Sequence, residues 1–354
     1  MTLNKKIFSS AKYLTVDSFF NKVLFDKKFG YYSSKFPFGN TGDFITAPVI
    51  SNLFSEIIAI WFVSTWEELG KPKKINLVEL GPGDGSLIKV LAKTFKNFPE
   101  FEKSVEIFLY EKSSFLIEKQ KKNIQNKKIK WIQNFTKIKN GPIIFFGNEF
   151  FDAIPIKQFI RKGNLLLEKC YSLDKDKKIV EIYKKISKKN FLQIKRFKSL
   201  KNLNFIEFPK LGLNELNKIN EKISKNQGGL LLIDYGYLEP RNKNTLQSVM
   251  KHKKNNLLDN LGRADVTSLV NFKLLNEYFI NNNLKVEKIV TQKIFLEKMG
   301  IIERANNLSF KMNFIEKSNL YLRLKRLLDK KLMGNLFKVI FAHNFKKSNF
   351  LGFK

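Results

Sequence analysis

Cysteine is almost absent: Cys170 is the only one in 354 residues. No internal disulfide can form, a cysteine-rich zinc centre is excluded, and the pattern fits a reducing compartment. Histidine is nearly as scarce, with only His252 and His343. Two separated histidines cannot make a metal site without carboxylates, so no metal is expected. Long apolar runs are missing too: the longest, Ile57–Val63 and Gly229–Ile233, fall far short of the roughly 20 residues that span a bilayer. Acidic residues are in short supply, 32 Asp+Glu against 65 Lys+Arg, leaving a net charge of +33. Such an excess ordinarily points to nucleic acid or an anionic membrane. Here the lysines are scattered among abundant Asn, Ile and Phe. The short clusters at Lys119–Lys122, Lys184–Lys189 and Lys251–Lys254 are interrupted and none forms a basic tail. They read as solvated surface, with no specific nucleic-acid partner. Residues 1–12 are basic and Ser-containing but lack Arg, and a helical pattern follows almost at once, so a cytoplasmic location is expected.

What is present is a globular composition, 43% hydrophobic and 27% charged, with length enough for one large domain or two ordinary ones. Val16, Phe19, Phe20, Val23 and Leu24 recur at helical spacing behind a candidate N-cap, Thr15. Residues 29–48 (FGYYSSKFPFGNTGDFITAP) have no period and read as a long ordered loop, while residues 50–69 read as a buried helix stopped by Gly70 and Pro72. Strand and helix patterns then alternate: strands at 75–80, 105–110, 128–132, 142–146 and 229–233, and helices at 86–98 and 113–126. That order predicts an α/β fold with a doubly wound, mainly parallel sheet. Residues 156–182 alternate in short β-like pieces and predict an antiparallel insertion, followed by a helix near 214–224. A polar loop runs to Arg263, a helix is expected from Val266 to Asn281 with Asp265 first as its N-cap and second as a substrate contact, and a strand from Val286 to Thr291.

The strongest motif is Leu77-Val78-Glu79-Leu80-Gly81-Pro82-Gly83-Asp84-Gly85, an apolar strand ending in an acid and running into a glycine turn and a helix. Glycines let a ligand approach the backbone closely, and the helix N-terminus offers free N–H groups. A dinucleotide site wants G-x-G-x-x-G, and the position after Gly85 is Ser86, so the spacing points instead to S-adenosylmethionine (SAM). Glu111 closes the next strand 26 residues after Gly85, where a carboxylate can take both ribose hydroxyls. The fourth strand ends in Asn148-Glu149-Phe150-Phe151-Asp152. Two carboxylates and an amide beside a methyl donor could pair with a guanidinium, orient it and accept its proton; capping of the following turn is the competing reading. Asp234 and Tyr235 end the fifth strand and either line the substrate side or make a turn.

These segments, together with GDFITAPVISNLFSEIIAIW (42–61), NEFFDAIPIKQF (148–159), IDYGY (233–237), NTLQSVMKHKKNNLLDNLGRADVTSLVNF (244–272), TQKIFLEKMGI (291–301) and MGNLFKVI (333–340), run in order along the chain. They resemble the MidA-type family of SAM-dependent methyltransferases, which includes a mitochondrial protein arginine methyltransferase that assists respiratory complex I assembly. The resemblance implies a class I methyltransferase fold. It implies N-terminal helices and an active-site loop over residues 1–72 and a methyltransferase domain over 73–354, with an insertion at about 156–212 and a substrate-side loop at about 238–265. Carried over by position, Glu79, Gly81, Gly83, Gly85, Glu111 and Asn148 match cofactor-binding residues, and Glu149 and Asp152 match catalytic ones. Gly42, Asp43, Thr46, Asp234, Tyr235 and His252 fall on the substrate side. Asp84 and Val49 depart from the family pattern: Asp84 reads as a helix N-terminal acid, and Val49 removes one candidate acid after the Thr46-Ala47-Pro48 triplet. The implied activity is methyl transfer to an arginine of a protein partner, with a complex I subunit as the implied partner, in the cytoplasm of a bacterium or the mitochondrial matrix of a eukaryote. A homodimer is an open expectation. The competing reading is a non-catalytic assembly factor that binds SAM and holds a partner protein. A nucleic-acid enzyme would be expected to show N-P-P-Y where this chain has Asn148-Glu149-Phe150-Phe151.

Overall fold

The computed structural model describes residues 2–34, 47–346 and 349–353. A short strand, β1 (Tyr13–Thr15), leads into the helix Val16–Phe25, which buries the apolar face predicted for it. The Thr15 hydroxyl donates to Asp17 Oδ1 at 2.5 Å and caps no backbone N–H. The segment 29–48 is not irregular throughout, since Tyr31–Ser34 and Ala47–Ile50 are helical. The buried helix Asn52–Glu68 follows, capped by the Ser51 side chain.

Strands β2 (Ile75–Leu80), β3 (Val105–Tyr110), β4 (Ile129–Ile132) and β5 (Ile143–Asn148) then alternate with the helices Ser86–Phe95 and Ser114–Ile124. The insertion supplies β6 (Lys157–Lys162), β7 (Leu165–Leu173), β8 (Ile179–Lys185) and β9 (Phe205–Phe208). After the helix Lys210–Asn226 come β10 (Gly228–Tyr237), β11 (Gln247–Met250), β12 (Lys253–Asn255), β13 (Asp265–Thr267), β14 (Val270–Asn271), β15 (Lys285–Val286), β16 (Val290–Thr291) and β17 (Phe337–His343).

The main sheet has the order β4-β3-β2-β5-β10-β17, parallel from β4 to β10, with β17 antiparallel and β15 and β16 pairing along its outer edge. Every residue of β2 and β10 is buried, as expected of parallel strands covered on both faces. One face packs on the helices Asn52–Glu68, Ser86–Phe95 and Phe314–Leu328, the other on Lys210–Asn226 and Phe272–Asn281. The insertion is antiparallel, as predicted, and β1 joins it beside β7. Chain order reverses between β2 and β5, and in open α/β sheets ligands bind at such a switch point, beyond the carboxyl ends of the strands.

The structure corrects the reading in the last third. Residues 238–265 are not merely loop, because β11, β12 and β13 form a three-stranded antiparallel sheet. The helix expected from Val266 starts at Phe272, and its N-cap is Asn271, whose side chain accepts from the Leu274 N–H at 3.0 Å. Asp265 begins β13 instead; the run Val266-Thr267 and Val270 is β-branched and favours strand. The single strand expected at 286–291 is two pieces. Val286 pairs Ala342 and Val290 pairs Val339, so four residues advance against three and the edge carries a one-residue bulge.

Candidate active site

The turn after β2 takes its shape from three glycines in the left-handed region, Gly81 (φ +61°), Gly83 (φ +58°) and Gly85 (φ +79°). Side chains there are strained, and a Cβ on Gly85 would come within 2.8 Å of Ile124 Cδ1. Asp84 Oδ1 accepts from the Ser86 N–H at 2.9 Å, one position ahead of the N-cap Gly85 of the helix Ser86–Phe95, where an acid suits the helix N-terminus. Glu79 is 3% exposed, and its Oε2 has no partner among the described residues. Burial, with the neighbouring Asp84 charge, pushes its carboxyl up to about 8. Glu111 receives the Ser113 N–H at 2.8 Å and Gln120 Nε2 at 3.3 Å, and burial raises it against those bonds.

On the far side of the switch point, Glu149 follows β5 with φ +52°, an uncommon backbone for a residue with a side chain. Its N–H donates to Ile233 O at 2.9 Å and its Oε1 accepts from Asn148 Nδ2 at 3.1 Å. Burial and the charge of Asp152 raise Glu149 to about 8, while the bond from Asn148, a backbone bond from Ala47 and, least, the charge of Arg326 oppose the shift. Asp152 is 5% exposed and is raised by burial to about 6; Tyr235 hydrogen-bonds it, and its Oδ1 has no partner among the described residues. The Tyr235 hydroxyl is also bonded by Thr267.

Asp234 accepts three backbone N–H groups, from Phe151 at 2.9 Å, Asp152 at 3.2 Å and Tyr235 at 2.9 Å. It is the fastener of the turn that carries Glu149 and Asp152. Burial together with Asp152 and Glu149 holds its carboxyl well above the usual range.

A single cavity of about 1020 Å³ joins these groups, lined by Glu79, the glycine turn and Glu111 on one side and by Asn148, Glu149, Asp152, Tyr235, Asp265 and Thr267 on the other. Of the residues expected on the substrate side, Tyr235 lines it. Asp234 stands behind the wall, and His252 sits at the exposed turn between β11 and β12 (φ +60°), outside the lining. Gly42, Asp43 and Thr46 lie outside the described residues. Sequence reasoning missed Tyr32, whose hydroxyl donates to both oxygens of Asp265 at 3.1 and 3.2 Å, and of its two readings of Asp265 the capping one does not hold, while the residue does line the cavity. The signal for Tyr32 is the aromatic run at residues 29–32, which reads as ordered loop and names no partner. Among the described residues, no three His, Cys, Asp or Glu side chains are grouped to hold a metal ion.

The lining fits SAM. The oxygens of Glu79, Asn148 and Asp152 that have no partner among the described residues offer acceptors to a cation-bearing ligand, Glu111 has lone pairs left for ribose hydroxyls, and the glycine turn keeps side chains away from the helix N-terminus.

Comparison with known proteins places this geometry. A family described as "Putative S-adenosyl-L-methionine-dependent methyltransferase" matches residues 57–290, more than half of the chain. The chain is 28% identical over 374 residues to "Protein arginine methyltransferase NDUFAF7, mitochondrial" of Xenopus laevis, covering 95% of this chain and 83% of that one. It is 30% identical over 294 residues to the Caenorhabditis elegans homolog of the same name, covering 77% and 68%. Its fold matches a COG1565 superfamily protein from Burkholderia thailandensis, crystallised with S-adenosyl-homocysteine, with a TM-score of 0.81 at 18% identity over 99% of this chain and 91% of that one. The chain belongs to the S-adenosyl-L-methionine-dependent methyltransferase family.

Proposed function

We propose that the enzyme methylates a guanidinium nitrogen of an arginine in a protein partner, with Glu149 as the catalytic carboxylate and Asp152 as its helper. The observation that carries this is the pairing of two buried carboxyls across from a SAM-type glycine turn in one cavity. A cationic acceptor is what such a cavity accommodates best: burial raises both carboxyls, and a guanidinium with two-pronged donors satisfies them. SAM, when bound, supplies an electrophilic methyl group on a sulfonium.

The chain's own residues do the rest. Glu79, the glycine turn, Glu111 and Asn148 hold the cofactor. Asp234 fixes the turn that aims Glu149, and Asp152, steadied by Tyr235, flanks it. Glu149 orients the guanidinium and takes the proton lost from the nitrogen that gains the methyl group. Relatives named as protein arginine methyltransferases support the choice of acceptor, and the family resemblance points to a complex I subunit as partner. The setting is the cytoplasm of a bacterium or the matrix of a mitochondrion, as in relatives named mitochondrial.

The test uses radiolabelled SAM on lysate from a strain lacking the protein, with mass spectrometry of the labelled band. Wild type should label an arginine. Glu149→Gln should bind SAM normally in calorimetry and lose most of the transfer, with Asp152→Asn losing less. Near-normal labelling by Glu149→Gln moves the catalytic carboxylate elsewhere, and label on another residue type ends the arginine reading.

A further inference from the structure

The cavity reverses the charge balance of the chain. Among the described residues seven acids and three lysines line it, against 32 acids and 65 Lys+Arg in the whole sequence. Two of those lysines, Lys112 and Lys218, pair with Glu215 at 2.8 and 3.0 Å. A cleft of that sign concentrates cations in a protein whose net charge repels them. Glu79, Asp84 and Glu111 stand with the cofactor turn, and Glu149 and Asp152 with the turn after β5. Asp265 belongs to neither, because it enters the cavity from β13.

Backbone geometry holds Asp265 near the catalytic carboxylates. The N–H of Ser268, three positions on, donates to Asp152 O at 3.1 Å, and three residues of chain span no more than about 11 Å. Thr267, two positions on and therefore on the same face of the strand, also lines the cavity and bonds the Tyr235 hydroxyl. Tyr32 supplies an aromatic surface beside this group. Its hydroxyl donates to Asp265, while its carbonyl accepts from Ser113 Oγ at 3.2 Å. Since Ser113 is bonded to Glu111, Tyr32 reaches from the cofactor side of the cavity to the carboxylates of the other side. Phe25 stacks on the Tyr32 ring, with centroids 5.3 Å apart and planes 18° apart, and it too lines the cavity. Being 42% exposed, Phe25 carries the aromatic surface out to the mouth.

We infer that Phe25 and Tyr32 form the wall along which the acceptor's arginine side chain enters, and that Asp265, held by Tyr32, is a further carboxylate that binds the guanidinium beside Glu149 and Asp152. The inference deepens the arginine-methyltransferase reading and rests on it. It makes these three residues the selectors of arginine over lysine. A guanidinium is flat, lays its face on an aromatic ring and presents N–H donors along two edges, so carboxylates on separate elements can hold it at once. An ammonium is a compact point charge with no face to stack and no second edge. The Tyr32 oxygen, its proton directed at Asp265, keeps lone pairs to accept one more N–H. The competing occupant of the aromatic wall is the cofactor itself, and the two differ in what a change at Phe25 does to cofactor affinity.

The test uses the full chain with S-adenosyl-homocysteine (SAH) and three small probes: Nα-acetyl-arginine methylamide, its lysine counterpart and its neutral citrulline counterpart. NMR titration should show the arginine probe binding at least tenfold more tightly than either of the others. Asp265→Asn and Tyr32→Leu should remove that preference, and Tyr32→Phe, which keeps the ring, should retain more of it than Tyr32→Leu. Phe25→Leu, at a half-exposed position, should keep the fold, the thermal midpoint and SAH affinity while weakening the arginine probe about fivefold. Equal binding of the three probes by wild type, or an unchanged preference in Phe25→Leu, overturns the wall. Loss of SAH affinity in Phe25→Leu does so too, because it gives the wall to the cofactor. Transfer is read separately, as labelling rate against the concentration of lysate from a strain lacking the protein. Phe25→Leu should raise the half-saturating concentration and leave the plateau rate unchanged, a split that a merely structural role would not produce. Selective binding of the arginine probe without label on any arginine overturns the methyl-acceptor reading and leaves a guanidinium site standing. Arginine labelling with an unchanged half-saturation in Phe25→Leu does the reverse.

Discussion

Glu149 illustrates how much one residue's setting decides. Its left-handed backbone is held by the bond to Ile233 O, and its carboxyl is pushed to about 8 by burial and Asp152. A carboxyl whose folded value lies above its unfolded one binds an extra proton in the folded state between the two. Folding stability of the ligand-free enzyme should therefore fall as pH rises from about 4.5 to about 8, with Glu79 contributing in the same direction. Thermal midpoints measured across that range should decline, and Glu149→Gln should flatten the slope. The same ionisation governs chemistry: transfer to a guanidinium needs the carboxylate, so activity in wild type should climb towards pH 8 and the cationic acceptor should pull the inflection downwards. Glu111 makes a quieter prediction. It already accepts two bonds inside the protein, and adding ribose hydroxyls is worth roughly 1.5 to 3 kcal/mol for a charged acceptor. Calorimetry of Glu111→Ala should show SAM affinity lowered by that amount, and an unchanged dissociation constant would remove Glu111 from the cofactor's contacts.

At the scale of elements, the parallel strands were legible because burial on both faces writes them as unbroken apolar runs. β2 and β3 coincide with their predicted limits, and the glycine turn between β2 and its helix follows from three residues that need positive φ. Residues brought together across long separations were not legible. Tyr32 and Asp265 meet over 233 positions, and nothing local marks either as the other's partner. The start of the helix at Phe272 was misread for a local reason. Asp265 precedes an apolar residue and makes a plausible cap, but the β-branched residues after it pair as strands and leave the capping to Asn271. Asn271→Ala should accordingly cost about 1 kcal/mol in denaturant unfolding through loss of the bond to the Leu274 N–H. Asp265→Asn should leave that helix untouched in hydrogen exchange while disturbing Tyr32.

For the molecule as a whole, the question is how the N-terminal segment, which brings Tyr32 and Ser33 to the cavity wall, stays attached to the body. β1 pairs with β7 over three residues only. The apolar cluster that Phe19 and Phe20 make with Tyr171 is one further tie, and a buried ionic contact is another. Lys157 Nζ on β6 reaches Asp17 Oδ1 at 2.9 Å and Glu168 Oε1 at 2.6 Å, with all three residues under 10% exposed, and Asn190 donates to the other Glu168 oxygen at 3.3 Å. Both carboxylates hold the Lys157 ammonium in its charged form and raise its pKa in spite of burial. A buried pair of this kind adds little over a well-packed apolar substitute, yet removing one partner leaves uncompensated charge and typically costs about 3 to 5 kcal/mol. Lys157→Ala strands two carboxylates together and should therefore destabilise strongly, whereas Lys157→Met with Asp17→Leu and Glu168→Leu should recover much of the loss. The damage should also be local. Hydrogen exchange in Lys157→Ala should speed up first in the helix Val16–Phe25 and in β7, while β2, β5 and β10 keep their protection, since the parallel sheet has its own two cores. If exchange rises equally in both regions, the N-terminal segment and the sheet unfold as one cooperative unit and the ionic tie is not what fastens the cavity wall.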